Sequence, residues 1–483
     1  MKKLIIRGKD IRGLGYPEAP VISLAINIME KHFKHSSLHE AQTILKAILK
    51  VPAEFAEDDV LGPIAKALMP KPKDPEDGET ISLNQHGITF SIFGEEHIEQ
   101  GALHQMYTAA KLPVSVAGAL MPDAHSGYGL PIGGVLATDN AVIPYGVGVD
   151  IGCRMCLSVF EVPPAELVQR EAFFTRELLE ATLFGSGGQF HQAEDHEVME
   201  RPEFFELPLL KGLHARAWKQ LGTSGSGNHF AEFGVVEIAE ADETLGLKPG
   251  NYVGLLTHSG SRALGANIAQ HYTLLAKKLR RLPGEASNLA WLNLDEDAGR
   301  EYWMAMNLAG DYASACHHII HERIAKAISH KPLRMVENHH NFAWKEQWEG
   351  REVIVHRKGA TPAGAGVLGI IPGSMTAPGF IVKGKGLEAA VNSASHGAGR
   401  KMSRTKAMQS ITQAQLKEVL KKHGVKLLGA GLDEAPFAYK DIEVVMESQR
   451  NLVEVVGKFT PKIVKMDGTP PRSFKKSAEI TGE

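Results

Sequence analysis

Five short polar islands, rich in Gly and His and set between apolar runs, are spread from Met121 to Arg400, and they constrain the fold of this chain most. The longest, Met121–Cys156, reads MPDAHSGYGLPIGGVLATDNAVIPYGVGVDIGCRMC and carries His125, Asp150 and Cys153 between glycines. SGSGNHF follows around His229, THSGSR around His258, ENHHNFA around His340 and SHGAGR around His396. Glycine lets backbone approach a bound group closely, and His, Cys and Asp are metal-ligand types. Islands so far apart act together only if the fold pairs distant segments, and their common make-up predicts pieces of one site.

Between the islands the hydrophobic pattern changes period. Helices are expected at Ile22–His32, Leu38–Leu49, Ala165–Ala181, Leu264–Arg281, Glu301–Ser329, Ile411–His423 and Ile442–Val456, with a Pro- and acid-rich loop at Pro70–Asp77. Short apolar runs between Gly and Pro predict strands and tight loops over Met121–Pro163, Gly225–Ile238, Tyr252–Leu256 and Val353–Val382. Regular βαβ alternation is missing, which argues against both a Rossmann sheet and a TIM barrel. The fold class read from this is α+β, one large mixed domain. A mainly helical part covers residues 1–100, the core 101–468, and a basic, loosely ordered tail 469–483.

Composition narrows the setting. At 483 residues the chain can bury a substantial core, and no apolar run approaches the roughly 18–20 residues that span a bilayer. Only three apolar residues separate Met1 from Arg7, too few for a secretory core, so a cytoplasmic location is expected. The formal net charge of −3 announces no nucleic-acid partner. Local basic patches at Lys277–Arg281 and Gly399–Lys406 read first as solvated faces. Three cysteines are too few for a disulfide framework. Cys153 and Cys156 form a lone C-x-x-C, but Cys156 opens the strand-like run CLSVFEV and reads as core.

Asp150 and Cys153 lie in VDIGCR, where the preceding YGVG and the internal Gly152 argue for a turn that converges a carboxylate and a thiolate. Two buried anionic ligands repel and resist desolvation, so a cation is the favoured reading over an N-capping Asp beside an inert Cys. His229, His258 and one of His339 and His340 complete the donors, enough for two metals if the thiolate bridges. Thiolate and imidazole favour zinc by softness, while the carboxylate admits manganese. His317, His318 and His321 fall within a helix and read as structural.

Two motifs are decoys. Gly379–Gly386, GFIVKGKG, nearly matches a P-loop, but Gly386 stands where a Ser or Thr belongs. Lys465-Met-Asp-Gly468 has the K-x-D-G form of a ligase lysine nucleophile without room for the motifs that follow it. His396 is the better nucleophile candidate: neutral imidazole attacks phosphorus, Gly397 and Gly399 leave room for phosphate, and Arg400 and Arg404 can neutralise it. A His beside a Gly-rich turn is the competing reading.

Taken together, MPDAHSGYGLPIGG, VGVDIGC, SGSGNHF, HSGSR, HHNF, HRKGAT, PGSM, SHGAGR and AYKDIEVVM resemble, in order, the motifs of the RtcB family of RNA ligases, over roughly Leu103 to Gly468. The resemblance implies an enzyme that joins RNA carrying a 2′,3′-cyclic phosphate or 3′-phosphate to a 5′-hydroxyl end, in tRNA splicing or RNA repair. GTP, two manganese ions and a histidine–GMP intermediate would serve it, and an accessory activator protein is admitted. By motif, Asp150, Cys153, His258 and His340 match the ligands of one manganese, and Cys153 with His229 those of the other. His396 matches the guanylylated residue. Asn228, Glu232, Asn341, Pro372, Gly373, Ser374, Met375, Gly397, Ala398, Gly399 and Tyr439 would hold GMP. Arg262, Lys358 and Arg400 suit phosphates of RNA or GTP.

The chain also departs from the family pattern. TAPGF follows PGSM in place of a serine-containing run, and Arg154 adds a cation after Cys153 where relatives often have glycine. The family's final lysine and glycine, which meet the guanine, are replaced by KMDG, so Lys465 is the expected guanine contact. The alternative from another enzyme class is a dinuclear metallophosphoesterase acting on RNA ends without ligation. An RNA-end binding protein is the non-catalytic alternative, with no need of Asp150 and Cys153.

Overall fold

The computed structural model of the protein describes residues 4, 6–17, 21–69, 78–190 and 194–468. The expected loop Pro70–Asp77 and the expected tail 469–483 lie outside the described residues, apart from the loop's neighbour Gly78. Two compact units divide the chain, Met1–Gly78 and Glu79–Glu483. The boundary therefore falls earlier than residue 100. Ser91–Ile92 pairs with strand Ser115–Tyr128, which ties residues 79–100 to the second unit.

The first unit is helical. Val21–His32 and Leu38–Lys50 are its longest helices. Ser37 starts the latter with a capping box: its Oγ accepts from Glu40 N–H at 3.2 Å, and Glu40 accepts from Ser37 N–H at 2.7 Å. Ala41, Leu45 and Ile48 recur at helical spacing and bury against Ala25, Met29 and Ile64.

The second unit is built on two sheets. The larger has eight strands, with Lys426–Leu427 off the main path. Across it run Pro332–His339, Arg154–Phe160, Gly250–Ser259, Phe230–Ile238, Val453–Met466, Gly379–Gly384 and Leu368–Ile371. The smaller has five, in the order Asn341–Trp348, Arg351–Lys358, Leu130–Thr138, Ser115–Tyr128, Ser91–Ile92. Pairing is antiparallel apart from the short strands at the margins, which rules out both the Rossmann and TIM architectures. The larger sheet curls until its end strands meet. Asn338 donates to Ile370 O at 3.3 Å and to Thr361 Oγ1 at 2.8 Å, and accepts from Ile370 N–H at 2.9 Å.

Strand Arg154–Phe160 is buried on both faces. Met155, Leu157 and Val159 point into a core with Val236, Leu256 and Phe459. Cys156 and Ser158 point the other way, toward helix Asp297–Ile328, which buries Tyr302, Met306, Ala309, Ala313, Cys316, Ile320 and Ile324 at helical spacing. That helix and Arg262–Leu279 are the two longest, as the periodicity predicts. No helix among the described residues is long and apolar enough to cross a membrane.

Two helical expectations need correction. Ala165–Ala181 breaks at Arg170 into Ala165–Gln169 and Glu171–Ala181. Ile442–Val456 is helical only to Ser448, and Val453 begins the long strand ending at Met466. The β-branched run VEVV satisfies either period over so short a span, and pairing with Gly379–Gly384 decides for strand.

Asn338→Ala should loosen the closure of the large sheet, because it leaves the buried Ile370 N–H without an acceptor. A loss of about 1–3 kcal/mol is expected in chemical denaturation. An unchanged midpoint would mean that Asn338 does not hold the sheet ends together.

Candidate active site

The chain crosses from the large sheet to the small one at His340, between strands Pro332–His339 and Asn341–Trp348. The islands converge at this seam. Cys153 N–H donates to Asp150 O at 3.2 Å, the turn expected of VDIGC. Gly152 has φ +70°, and a Cβ there would lie 2.8 Å from Gly310 Cα on the long helix, so only glycine lets the loop dock. His258 ends strand Gly250–Ser259 beside Met155 and Phe230, and His229 precedes strand Phe230–Ile238.

These elements place the Cys153 Sγ 3.1 Å from His258 Nε2 and 3.4 Å from His229 Nε2. His229 Nε2 lies 2.9 Å from Asp150 Oδ2, and His258 Nε2 lies 3.2 Å from His340 Nε2. Asn228 O, an acceptor only, is 3.1 Å from His258 Nδ1, so Nδ1 carries the proton and Nε2 turns a lone pair inward. His339 packs elsewhere, stacked on Trp344. Of the pair left open by the sequence, His340 belongs to the cluster.

The electrostatics agree. Burial, then neighbouring histidines, drive His340 well below the ordinary imidazole range, and burial pulls His258 down to about 3. Burial and the Asp150 carboxylate push the Cys153 thiol well up. Burial also opposes ionisation of Asp150, but the hydrogen bond and charge of His229 outweigh it and hold that carboxyl low. His229 Nδ1 and His340 Nδ1 are buried without a partner. The imidazoles of His258 and His340, both held low, together with His229, a thiol and a carboxylate, form a donor set that fits divalent metal. Gly260 belongs to it indirectly: a Cβ there would fall 2.1 Å from Asp150 Oδ1.

A second buried group, Cys156, His317 and His321, has ligand atoms as closely spaced, yet it is complete without metal. Ser259 O lies 3.3 Å from His317 Nε2, which must donate to it, so His317 Nδ1 accepts from Thr257 Oγ1 at 2.6 Å. Thr257 Oγ1 in turn accepts from His321 Nε2 at 2.8 Å, and His321 Nδ1 accepts from Ser158 Oγ at 2.7 Å. Every ring nitrogen has one consistent partner. The structural reading of these helix histidines holds, while the outer His318 faces Glu337 at 3.5 Å.

His396 stands beside the metal donors, its ring centroid 5.0 Å from that of His340. Its backbone N–H and its Nδ1 both meet Asp123 Oδ2, at 3.1 and 2.6 Å. Burial raises the Asp123 carboxyl, but His396, Lys440 and His125 together hold it below its ordinary value. An ionised carboxylate accepts only, so Nδ1 carries the His396 proton and Nε2 keeps a lone pair. Lys440 flanks Asp123 by donating to Pro122 O and Ala124 O at 3.1 and 2.8 Å. His125, a candidate ligand by type, lines the same cavity with its Nδ1 3.1 Å from Asp123 O.

One cavity of about 380 Å³ joins Asp150, Cys153, His258, His340 and His396 to Asn228, Glu232, Asn341, Pro372, Gly373, Ser374, Met375, Gly397, Ala398, Gly399, Arg400, Lys358 and Tyr439. Arg400 and Arg404 are tied to Asp433 and Glu434, and Tyr439 donates to Glu434. Lys358 spends its ammonium on Tyr128 O and Tyr145 O, at 2.6 and 3.2 Å. Asn341 bridges Asp150 O and Gly359 N–H.

Two cations, Lys465 and Arg154, do not point into the cavity. Lys465 does not line the cavity: strand alternation presents Val464 and Met466 there, and Lys465 donates to Leu179 O and Thr182 O at 3.1 and 2.8 Å. Arg262 donates to Thr223 Oγ1 and Gly185 O, both at 3.0 Å, and its charge helps to hold the Asp150 carboxyl low. Arg154 points toward the long helix, donating to Gly310 O at 2.8 Å and pairing with Glu337. The P-loop decoy is strand Gly379–Gly384, with Lys383 paired to Asp242. Asp123, Lys440, Asp433 and Glu434 were missed by the sequence reading. Asp123 had a signal, an acid inside the first island.

A metal-donor cluster beside a carboxylate-oriented histidine defines the class of site. A family model described as tRNA-splicing ligase RtcB matches residues 105–205 and 180–467. The RNA-splicing ligase RtcB of Escherichia coli (strain K12) is 34% identical over 391 residues, covering 74% of this chain and 92% of the relative. The tRNA-splicing ligase RtcB of Methanococcus maripaludis is 32% identical over 429 residues, covering 73% and 88%. That of Nanoarchaeum equitans is 30% identical over 443 residues, covering 77% and 92%. The chain belongs to the RtcB family.

Metal content by mass spectrometry separates the two buried clusters. Cys153→Ala should lose bound metal, and Cys156→Ala should keep the wild-type stoichiometry. Gly260→Ala should weaken metal binding about 10–100-fold through the displaced Asp150, the range found when a ligand's support is lost. Equal metal loss in the Cys153 and Cys156 variants would reverse the assignment of the clusters.

Proposed function

We propose that the protein is an RNA ligase that joins 3′-phosphate ends, or 2′,3′-cyclic phosphate ends after their hydrolysis, to 5′-hydroxyl ends, in tRNA splicing or RNA repair. GTP would be a substrate, and Asp150, Cys153, His258 and His340 would hold one manganese ion, with Cys153 and His229 holding a second. The observation that carries this reading is a carboxylate-oriented His396 next to the metal donors in one cavity. A metallophosphoesterase needs the donors alone and leaves His396, Asp123 and the Gly397–Gly399 turn without a role.

His396 Nε2 attacks the α-phosphorus of GTP. The new N–P bond replaces the bond to pyrophosphate, which leaves. Asp123 keeps the Nδ1 proton in place and offsets the positive charge that the ring acquires. A 3′-phosphate oxygen then attacks the same phosphorus, the N–P bond breaks, and its electron pair returns to Nε2. The RNA 5′-hydroxyl attacks the activated 3′-phosphate, and GMP departs. Bound divalent metal supplies positive charge to phosphate oxygens. Asn228 and Gly397–Gly399 suit nucleotide phosphates, and Arg400 is held by Glu434 at the cavity wall.

With α-labelled GTP and manganese, the wild-type protein should acquire base-stable, acid-labile label on His396. His396→Ala should lose the label and retain metal, as well as hydrolysis of a cyclic phosphate end. Asp123→Ala should retain metal and lower label transfer about 100-fold or more, as the loss of an orienting carboxylate does elsewhere. Label mapped to any other residue would refute the mechanism.

A further inference from the structure

A second cavity, of about 410 Å³, shares Arg400 with the first and is lined by Pro122, Ala124 and Lys440. Tyr439 lines the first cavity and Lys440 the second, so neighbouring residues of one short segment face opposite sides. That segment pairs with the loop that follows His396: Lys440 N–H donates to Gly399 O at 3.0 Å, and Lys401 N–H donates to Ala438 O at 2.9 Å. The Lys440 side chain then crosses to strand Ser115–Tyr128, where it donates to Pro122 O and Ala124 O, the carbonyls on either side of Asp123. Gly399, with φ +69°, packs on the same residue, since a Cβ there would fall 2.1 Å from Asp123 O. Lys440 therefore ties the loop of the nucleophile to the strand of its orienting carboxylate.

Charge makes the tie more than mechanical. Asp123 is fully buried, and its Oδ1 meets no hydrogen-bond partner among the described residues. A buried carboxylate stays ionised only with donors or positive charge close by. His396, Lys440 and His125 are the groups whose charge favours ionised Asp123. His396 must be neutral to attack phosphorus, and burial pulls His125 down to about 4, so that ring is uncharged near neutral pH. Lys440 is the cation that remains. Burial lowers its ammonium, and the Asp123 and Glu99 carboxylates oppose that.

We infer that Lys440 is a positioning residue for the nucleophile: from outside the cavity that would take the substrates, it keeps Asp123 aimed and charged against His396 Nδ1. The inference rests on the proposed nucleotidyl transfer to His396. When Nε2 bonds to phosphorus the ring becomes positive, and Asp123 offsets that charge only while it is itself ionised. Lys440 acts on the transfer through Asp123 and touches neither GTP nor metal.

Manganese-loaded full-length protein is incubated with α-labelled GTP, and the rate of label transfer to His396 is measured in single turnover. Lys440→Gln keeps a donor for the two carbonyls and removes the charge. It should lower the maximal rate about 10–100-fold, the range found when the partner behind a functional group is lost, with bound metal and the KM for GTP unchanged. Lys440→Arg, which keeps the charge, should retain most of the rate. In an Asp123→Ala background, Lys440→Gln should have little further effect, because residues that act through one another do not add. Hydrolysis of a cyclic phosphate end, which needs no nucleotide, should persist in Lys440→Gln. An unchanged rate in Lys440→Gln, losses that add in the double variant, or loss of metal would overturn the inference and leave the proposed function standing. Absence of label from the metal-loaded wild type would overturn both.

Discussion

Burying a carboxylate, a thiol and several imidazoles together is costly, and the architecture is arranged around that cost. At the seam between the sheets, His340 and His258 face each other at 3.2 Å, and Cys153 approaches His258 at 3.1 Å. Groups with lone pairs turned inward and little water around them repel unless a cation gathers them. The elements that bring them there are deeply buried. Strand Arg154–Phe160 is covered on both faces, and the Gly152 turn docks against Gly310 of the long helix.

The same helix–sheet interface settles a second group of histidines differently. Thr257 and Ser259 flank the donor His258, yet they serve the chain of hydrogen bonds through His317 and His321. Burial drives both of those histidines down, so neither needs a counter-charge. Hydroxyls interleaved between rings make a neutral, self-sufficient network, whereas rings that meet only one another and a thiol do not. Ligand type and spacing alone do not distinguish the two clusters; the hydroxyls do.

Much of this was legible from the residues. Asp150, Cys153, His229 and His258 stand out in glycine-flanked islands, and the choice between His339 and His340 stayed open until the fold brought His340 to the others. The long helices followed from period, and the missing βαβ alternation excluded the Rossmann and TIM folds; that the strands pair antiparallel is read from the structure. Asp123 was harder, because an acid in a Gly-rich run has many uses, and only the approach of His396 reveals its partner. Helix and strand were confused around Val453, where a short β-branched run fits both patterns until its neighbours are known.

The sequence by itself determined the kinds of atoms available and the local turns that present them: soft and hard donors, close-approach glycines, and a histidine fit to attack phosphorus. The tertiary structure alone decided where the cations point. Lys465 and Arg154 each looked suited to the site by type and nearness in sequence, and each spends its donors on backbone carbonyls or a carboxylate elsewhere. The reason is that a strand sends neighbouring side chains to opposite faces. Which face meets the cavity is set by register with partners far away in sequence, and a one-residue difference exchanges Lys465 for Met466.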